Sequence, residues 1–200
     1  VNTCLDKDYL AKMPFFIELE VCKIWKESSF QLYALSNSAA GGLEQFMVLT
    51  AKEMGLRIID SPEIQKLDSS VKGYFNLQRE IGEKRQEIHN LAESGNVQLT
   101  QNEISEINRL RAELGELNNK RPAAYLDLLN SKTEYINKIR GMSAEQLMEF
   151  DARFVQELAI PAGMSYLAKS MLECQKSFGG SLEINVWRGL AAYNAGLERT

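Results

Sequence analysis

The sequence predicts a mainly α-helical protein, a compact domain interrupted by an inserted antiparallel helical hairpin. Three observations lead there. Apolar residues recur at helical spacing through most of the chain, without strand-like alternation. Helix-start signatures are frequent, with Ser or Thr three residues ahead of Glu or Gln, or directly ahead of a proline. Between about Lys72 and Lys120 the composition shifts to narrow apolar seams among Arg, Glu, Lys and Gln, the pattern of two paired amphipathic helices.

The elements follow in order. From about Asp8 to Lys26 an apolar face carries Leu10, Phe16, Ile17, Val21, Ile24 and Trp25. Pro14 kinks this stretch or starts its main helix. Ser36 to Gly42 is small and polar, a loop. Leu43 to Met54 returns to helix, with Gly55 as its C-cap. Ser61-Pro62-Glu63 reads as N-cap, proline at the first helical position and acid in the first turn. Leu77, Ile81, Ile88 and Leu91 then form the first seam of the hairpin, and Ser94-Gly95-Asn96 its turn. Thr100 with Glu103 opens the second seam, through Ile104, Ile107, Leu110, Leu114 and Leu117, and Pro122 punctuates its end. Ser143 with Gln146 caps a helix to about Leu158. Pro161 starts another, with Tyr166, Leu167, Met171 and Leu172 inward, ending at Gly179-Gly180. Ser181 caps the last helix, which carries Leu182, Val186, Trp187, Leu190 and Tyr193. Residues 1–61 and 143–200 therefore form the compact domain. Residues 62–142 form the inserted arm, which packs on the domain or contacts another protein.

Bulk properties narrow the function. The 200 residues include 44% hydrophobic and 25% charged side chains, ordinary for a globular protein. A net charge of −4 does not suggest nucleic-acid binding. No apolar run approaches the ~20 residues of a membrane span. No signal peptide is visible, and a start at Val1 rather than Met fits a processed, exported protein. Cys4, Cys22 and Cys174 make an odd count without metal-ligand spacing. Cys22 and Cys174 read as buried free thiols, and a Cys4–Cys22 disulfide is the alternative in an oxidising compartment. His89, the one histidine, falls in a charged helical stretch and reads as solvated surface. A Ser-His hydrolase or a common zinc enzyme does not fit this inventory.

Glu27 is the candidate for chemistry. It follows Ile24 and Trp25 near a helix C-terminus, where burial and the negative end of the macrodipole both disfavour a carboxylate. A carboxylic acid with a raised pKa can protonate a leaving oxygen at neutral pH. The surrounding motif sharpens this. Glu27-Ser28-Ser29-Phe30 gives E-S-x-F; Ala34 and Ser36 give A-x-S; Ala40, Gly42, Leu43 and Gln45 follow, then Met47, Thr50 and Ala51. Gly163, Tyr166 and Leu167 give G-x-x-Y-L, and residues 191–196 read A-A-Y-N-A-G.

In these two blocks, roughly residues 20–56 and 158–197, the chain resembles the soluble lytic transglycosylases, the goose-lysozyme-like enzymes of glycoside hydrolase family 23. The resemblance implies a lysozyme-like fold and cleavage of the β-1,4 bond between N-acetylmuramic acid and N-acetylglucosamine in peptidoglycan glycan strands. It implies Glu27 as general acid and then base, with Ser36, Gln45, Met47, Tyr193 and Asn194 lining the groove. Packing in the core is the alternative for Met47 and Tyr193. The outcome is transglycosylation to a 1,6-anhydro end, or lysozyme-type hydrolysis with the same Glu27. An inactive wall-binding or scaffold protein is the competing class. No metal or organic cofactor is implied. The implied location is periplasmic, cell-envelope or secreted. Three features depart from the family pattern. Glu44 replaces its methionine, Val48 replaces its proline at a helix start, and the sequence stops at Thr200 before any E-T-R-x-Y-V element, so that this wall of the groove is absent or the chain is a fragment. Glu44 at the groove would raise the Glu27 pKa, activate water, or pair with the ammonium of de-N-acetylated glycan, unless it faces solvent.

Overall fold

The computed structural model describes residues 15–93 and 99–195; the side chains of Leu182, Asn194 and Ala195 are outside the description. The protein is mainly α-helical. Its described elements are α1 (Phe16–Ser28), α2 (Val48–Glu53), α3 (Pro62–Ala92), α4 (Gln101–Arg140), α5 (Ala144–Phe150), a 3-10 turn (Ala152–Phe154), α6 (Gln156–Phe178) and α7 (Leu182–Ala195). Two compact units result, Val1–Ile59 with Ile139–Thr200, and Asp60–Lys138. No described helix is long and apolar enough to cross a membrane.

The first unit is built around Phe16 of α1, Leu167, Ala168 and Met171 of α6, and Val186 of α7. Gly189 lets α7 close onto α6, since a Cβ there would lie 2.4 Å from Met171 Cγ. Helix α1 buries a face different from the expected one. Phe16, Glu20, Lys23, Ile24 and Ser28 point inward, whereas Ile17, Val21 and Trp25 are exposed. The face is rotated because Lys23 is neutralised inside by carboxylates, so two charged residues occupy core positions. Leu10 and Pro14 lie outside the described residues, as does Cys4. Cys22 is exposed rather than buried, and Cys174 is a buried free thiol.

Residues 42–47 are not helical. Gly42 and Gln45 adopt φ of 78° and 49°, which interrupt a right-handed helix. Isolated antiparallel bridges join Leu35 to Gly41 and Gly41 to Phe46. Helix α2 therefore starts at Val48, its first helical position. The helix capped by Ser143 and Gln146 ends at Phe150 rather than near Leu158. Asp151 there bridges back to Ile58, and Ala152 N–H donates to the Arg57 carbonyl at 2.9 Å. Pro161 does not start a helix but lies inside α6, which begins at Gln156.

The second unit is an antiparallel helical hairpin. Ser61 accepts a hydrogen bond from Ile64 N–H at 3.3 Å, and Pro62 begins α3. Thr100 and Glu103 cap one another at 2.7 and 3.3 Å. Pairs across the hairpin fix its register. Ser70 and Ser131 hydroxyls meet at 2.8 Å, and the Tyr74 and Tyr125 ring centroids lie 5.4 Å apart. Lys84 reaches Glu113 at 3.2 Å. Ile81, Ile107 and Leu110 form the buried seam, with Leu67, Leu128 and Tyr135 toward the other end. Ile104, expected in the seam, is exposed. Pro122 does not end the arm: α4 runs through it to Arg140, losing one N–H donor but held by buried residues on both sides. His89 is exposed beside Glu93, and the predicted turn at Ser94-Gly95-Asn96 lies outside the described residues.

Candidate functional site

Helix α1 delivers Glu27 in its last turn. The Ser28 hydroxyl donates to the Ile24 carbonyl at 3.0 Å, and Ser29 N–H closes the helix on the Trp25 carbonyl at 2.9 Å. Ser29 and Phe30 then adopt left-handed φ values of 51° and 61°, unusual for consecutive non-glycine residues. Ala39 and Gln45 do the same further along the loop. Such conformations each cost about 1–3 kcal/mol and concentrate where a loop is held for function.

Glu20, Lys23 and Glu27 share one face of α1 by their spacing of three and four residues. Glu20 and Lys23 are buried and Glu27 is half-buried. Lys23 Nζ lies 3.0 Å from Glu20 Oε1 and 2.5 Å from Oε2 of Glu44, which has no exposed surface. It also sits 4.2 Å from the Tyr193 ring centroid. The Tyr193 hydroxyl donates to the Glu44 carbonyl at 2.8 Å, with the Glu44 carboxylate at 3.0 Å. One ammonium thus serves two buried carboxylates. Burial pushes Glu20 up to about 7; Lys23 opposes the rise and Glu44 adds to it. Desolvation likewise raises the Glu27 pKa; Lys23 pulls it back and Glu44 pushes it further up. Burial and the neighbouring carboxylates lift the Tyr193 phenol well above its usual range.

The loop between α1 and α2 is pinned from below by Arg153, a residue that sequence reasoning missed. Its guanidinium donates to the Ala39 and Phe46 carbonyls at 2.8 and 2.9 Å. Asp151 holds the other side at 2.7 and 2.9 Å, and both residues are fully buried. Gly42 is required beneath this loop, because a Cβ would stand 2.0 Å from the Arg153 carbonyl oxygen. Nothing local in the sequence marks Arg153 as a pin, because the carbonyls it holds, those of Ala39 and Phe46, are 114 and 107 residues away. Lys23 was hidden for another reason, since a lysine within an amphipathic helix is ordinarily assigned to solvent.

The predicted site residues separate into two sets. Glu27, Glu44 and Tyr193 influence one another electrostatically across α1, the loop and α7. Ser36 and Gln45 are partly buried and bonded within the loop: Ser36 Oγ accepts from Ala40 N–H at 3.0 Å, and Gln45 Nε2 donates to the Gly42 carbonyl at 2.8 Å. Met47 is exposed rather than core. Asn194 is in the backbone of α7, with its side chain outside the described residues. Of the readings for Glu44, the solvent-facing one is overturned: the side chain is fully buried, its carboxylate against Lys23 and the Tyr193 hydroxyl, and it adds to the rise of the Glu27 pKa. Tyr193 is likewise committed through its hydroxyl and stacks edge-on with Tyr166 at 5.2 Å. A cavity of about 430 Å³ opens beside Phe30, lined by Ile17, Val21, Ile24 and Ile160. Its lining is mostly apolar, with Glu20 and Gln156 as its polar members. The chain matches no family model, no curated protein and no solved structure.

Proposed function

We propose that the chain is a peptidoglycan-cleaving muramidase of the lytic transglycosylase type, acting on the β-1,4 bond between N-acetylmuramic acid and N-acetylglucosamine. The observation that carries this reading is the half-buried Glu27 carboxyl at the closing turn of α1, its pKa raised chiefly by desolvation. The negative end of the helix dipole acts in the same direction. The motif residues around it and the left-handed backbone at Ser29, Phe30, Ala39 and Gln45 support the same assignment.

In this reaction the Glu27 carboxyl gives its proton to the glycosidic oxygen as the C1–O bond breaks. The oxocarbenium-like centre is assisted by the sugar's own N-acetyl oxygen. The 6-hydroxyl of the same sugar then attacks C1 and returns its proton to Glu27. The product is a 1,6-anhydro end, and the acid is restored. Such a substrate would be met in the cell envelope. Digestion of purified sacculi tests the reading by mass spectrometry. Anhydro ends, lighter by one water than hydrolytic ends, are expected. Hydrolytic ends would make it a lysozyme, and sacculus binding without released fragments would make it a wall-binding scaffold. Glu27→Gln is expected to lower release about 10²–10⁴-fold.

A further inference from the structure

We propose that one face of the hairpin arm, running from Phe75 to Arg85 on α3 and from Arg111 to Leu129 on α4, docks an acidic amphipathic helix of a partner protein. The site lies wholly within the arm and is independent of the chemistry assigned to Glu27.

Heptad spacing divides the arm into two unlike faces. Leu67 and Ile81 of α3, and Ile107, Leu128 and Tyr135 of α4, are buried and fall at multiples of seven residues, so the helices pair along one seam. On one side of that seam Glu80, Glu83, Glu87, Glu113 and Glu116 line a groove, and Lys84 there bridges Glu87 and Glu113. On the other side, alternate steps of three and four residues from Phe75 to Arg85 and from Arg111 to Leu129 meet no Asp or Glu. Phe75, Tyr125 and Leu129 are exposed on this side. The Tyr74 ring lies 5.5 Å from Phe75 and 5.4 Å from Tyr125, which joins the aromatic groups of the two helices. The register set by Ser70 with Ser131 and Lys84 with Glu113 brings Arg85 and Arg111 nearly level with each other. Both are exposed, and among the described residues neither has a carboxylate partner. Neighbouring guanidiniums repel one another in the free arm, so a carboxylate brought between them is favoured on binding.

Arg111 stands about 21 Å from Tyr125 along α4 at 1.5 Å per residue. A helix laid between α3 and α4 spans that distance, its apolar side chains against Phe75, Tyr125 and Leu129 and its carboxylates at the arginines. Gly82 and Gly115 keep the path between them free of side chains. An anionic bilayer is the poorer fit. The chain carries a net charge of −4, and the aromatic and cationic groups are separated lengthwise rather than brought to one depth.

Fluorescence anisotropy on the full chain tests this with synthetic helical peptides of about 20 residues that share one leucine stripe, flanked by Glu, Gln or Lys. The Glu peptide is expected to bind tightest. Arg85→Glu combined with Arg111→Glu should weaken it at least about tenfold and make the Lys peptide the preferred one. Tyr125→Ala with Leu129→Ala should weaken all the peptides alike. Glu83→Gln with Glu116→Gln, on the opposite face, should leave each affinity within about twofold. Circular dichroism confirms that every variant keeps its helices. No measurable binding of the Glu peptide, or a preference for it that survives the arginine reversal, overturns the proposal. Binding of phosphatidylglycerol vesicles but of no peptide overturns it in favour of a membrane surface.

Discussion

Gly163 on α6 faces the Glu44 carboxylate so closely that a Cβ at that position would stand 2.0 Å from Oε2 and 2.3 Å from Cδ. The two residues belong to sequence blocks far apart, and each explains the other. Glu44 can be enclosed only where its neighbour has no side chain. Gly163→Ala should therefore destabilise the protein by about 1–3 kcal/mol through overpacking. In a Glu44→Ala background most of that cost should vanish, because the colliding atoms are gone. A double-mutant cycle by urea denaturation measures the coupling, and additive effects would show that Gly163 acts elsewhere.

Arg153 joins the 3-10 turn to the loop at Ala39 and Phe46, and its charge faces the Asp151 carboxylate. Arg153→Met removes the guanidinium that faces the buried Asp151 carboxylate and takes one donor from each of the Ala39 and Phe46 carbonyls. A loss of about 3–5 kcal/mol is expected. Arg153→Lys keeps the charge but not the fork, so it should recover only part of the stability. Amide exchange at Gly41 and Phe46, which bond to each other across the loop, should speed up in both variants. Exchange unchanged from wild type would mean that the loop holds itself.

The parts of the fold readable in the sequence are those set by neighbours in the chain. Ser61 with Pro62, Thr100 with Glu103 and Ser143 with Gln146 all cap where their spacing says, because a cap is made within one turn. Readings that depended on distant parts of the chain went astray. The buried face of α1 was displaced because Lys23 and Glu20 pair inside, against the usual sorting of charge to the surface. Pro122 and Pro161 were read as a helix end and a helix start, yet each lies within a helix. Glu44 was legible as an exception to the motif, but its enclosure depends on Gly163 and Tyr193, distant in sequence. Glu27 itself was visible through the residues that follow it.

The hairpin carries glycines that nothing touches. Added Cβ atoms at Gly82 and Gly115 meet no atom within 4 Å, and both positions are helical. Glycine in a helix interior costs about 0.8–1 kcal/mol relative to alanine. Gly82→Ala and Gly115→Ala should each stabilise the protein by roughly that amount, and together nearly additively. Thermal unfolding in full-length protein checks this. A lowered midpoint would show that these positions need the freedom of glycine.

Glu20 gives stability a pH dependence of defined sign. Its carboxyl is buried, and its pKa is raised from 4.5 to about 7 in the folded state. The folded protein thus binds this proton more tightly than the unfolded chain. The resulting stabilisation is fully present below pH 4.5 and is lost as the pH rises through about 7. Each pH unit between the two values corresponds to about 1.4 kcal/mol, an upper bound here because the Glu20 carboxyl is packed against other charged groups. Urea denaturation at a series of pH values from about 4 to 8 should show stability falling across that window, with a flatter curve in Glu20→Gln. An identical slope in the variant would mean that another group releases the proton.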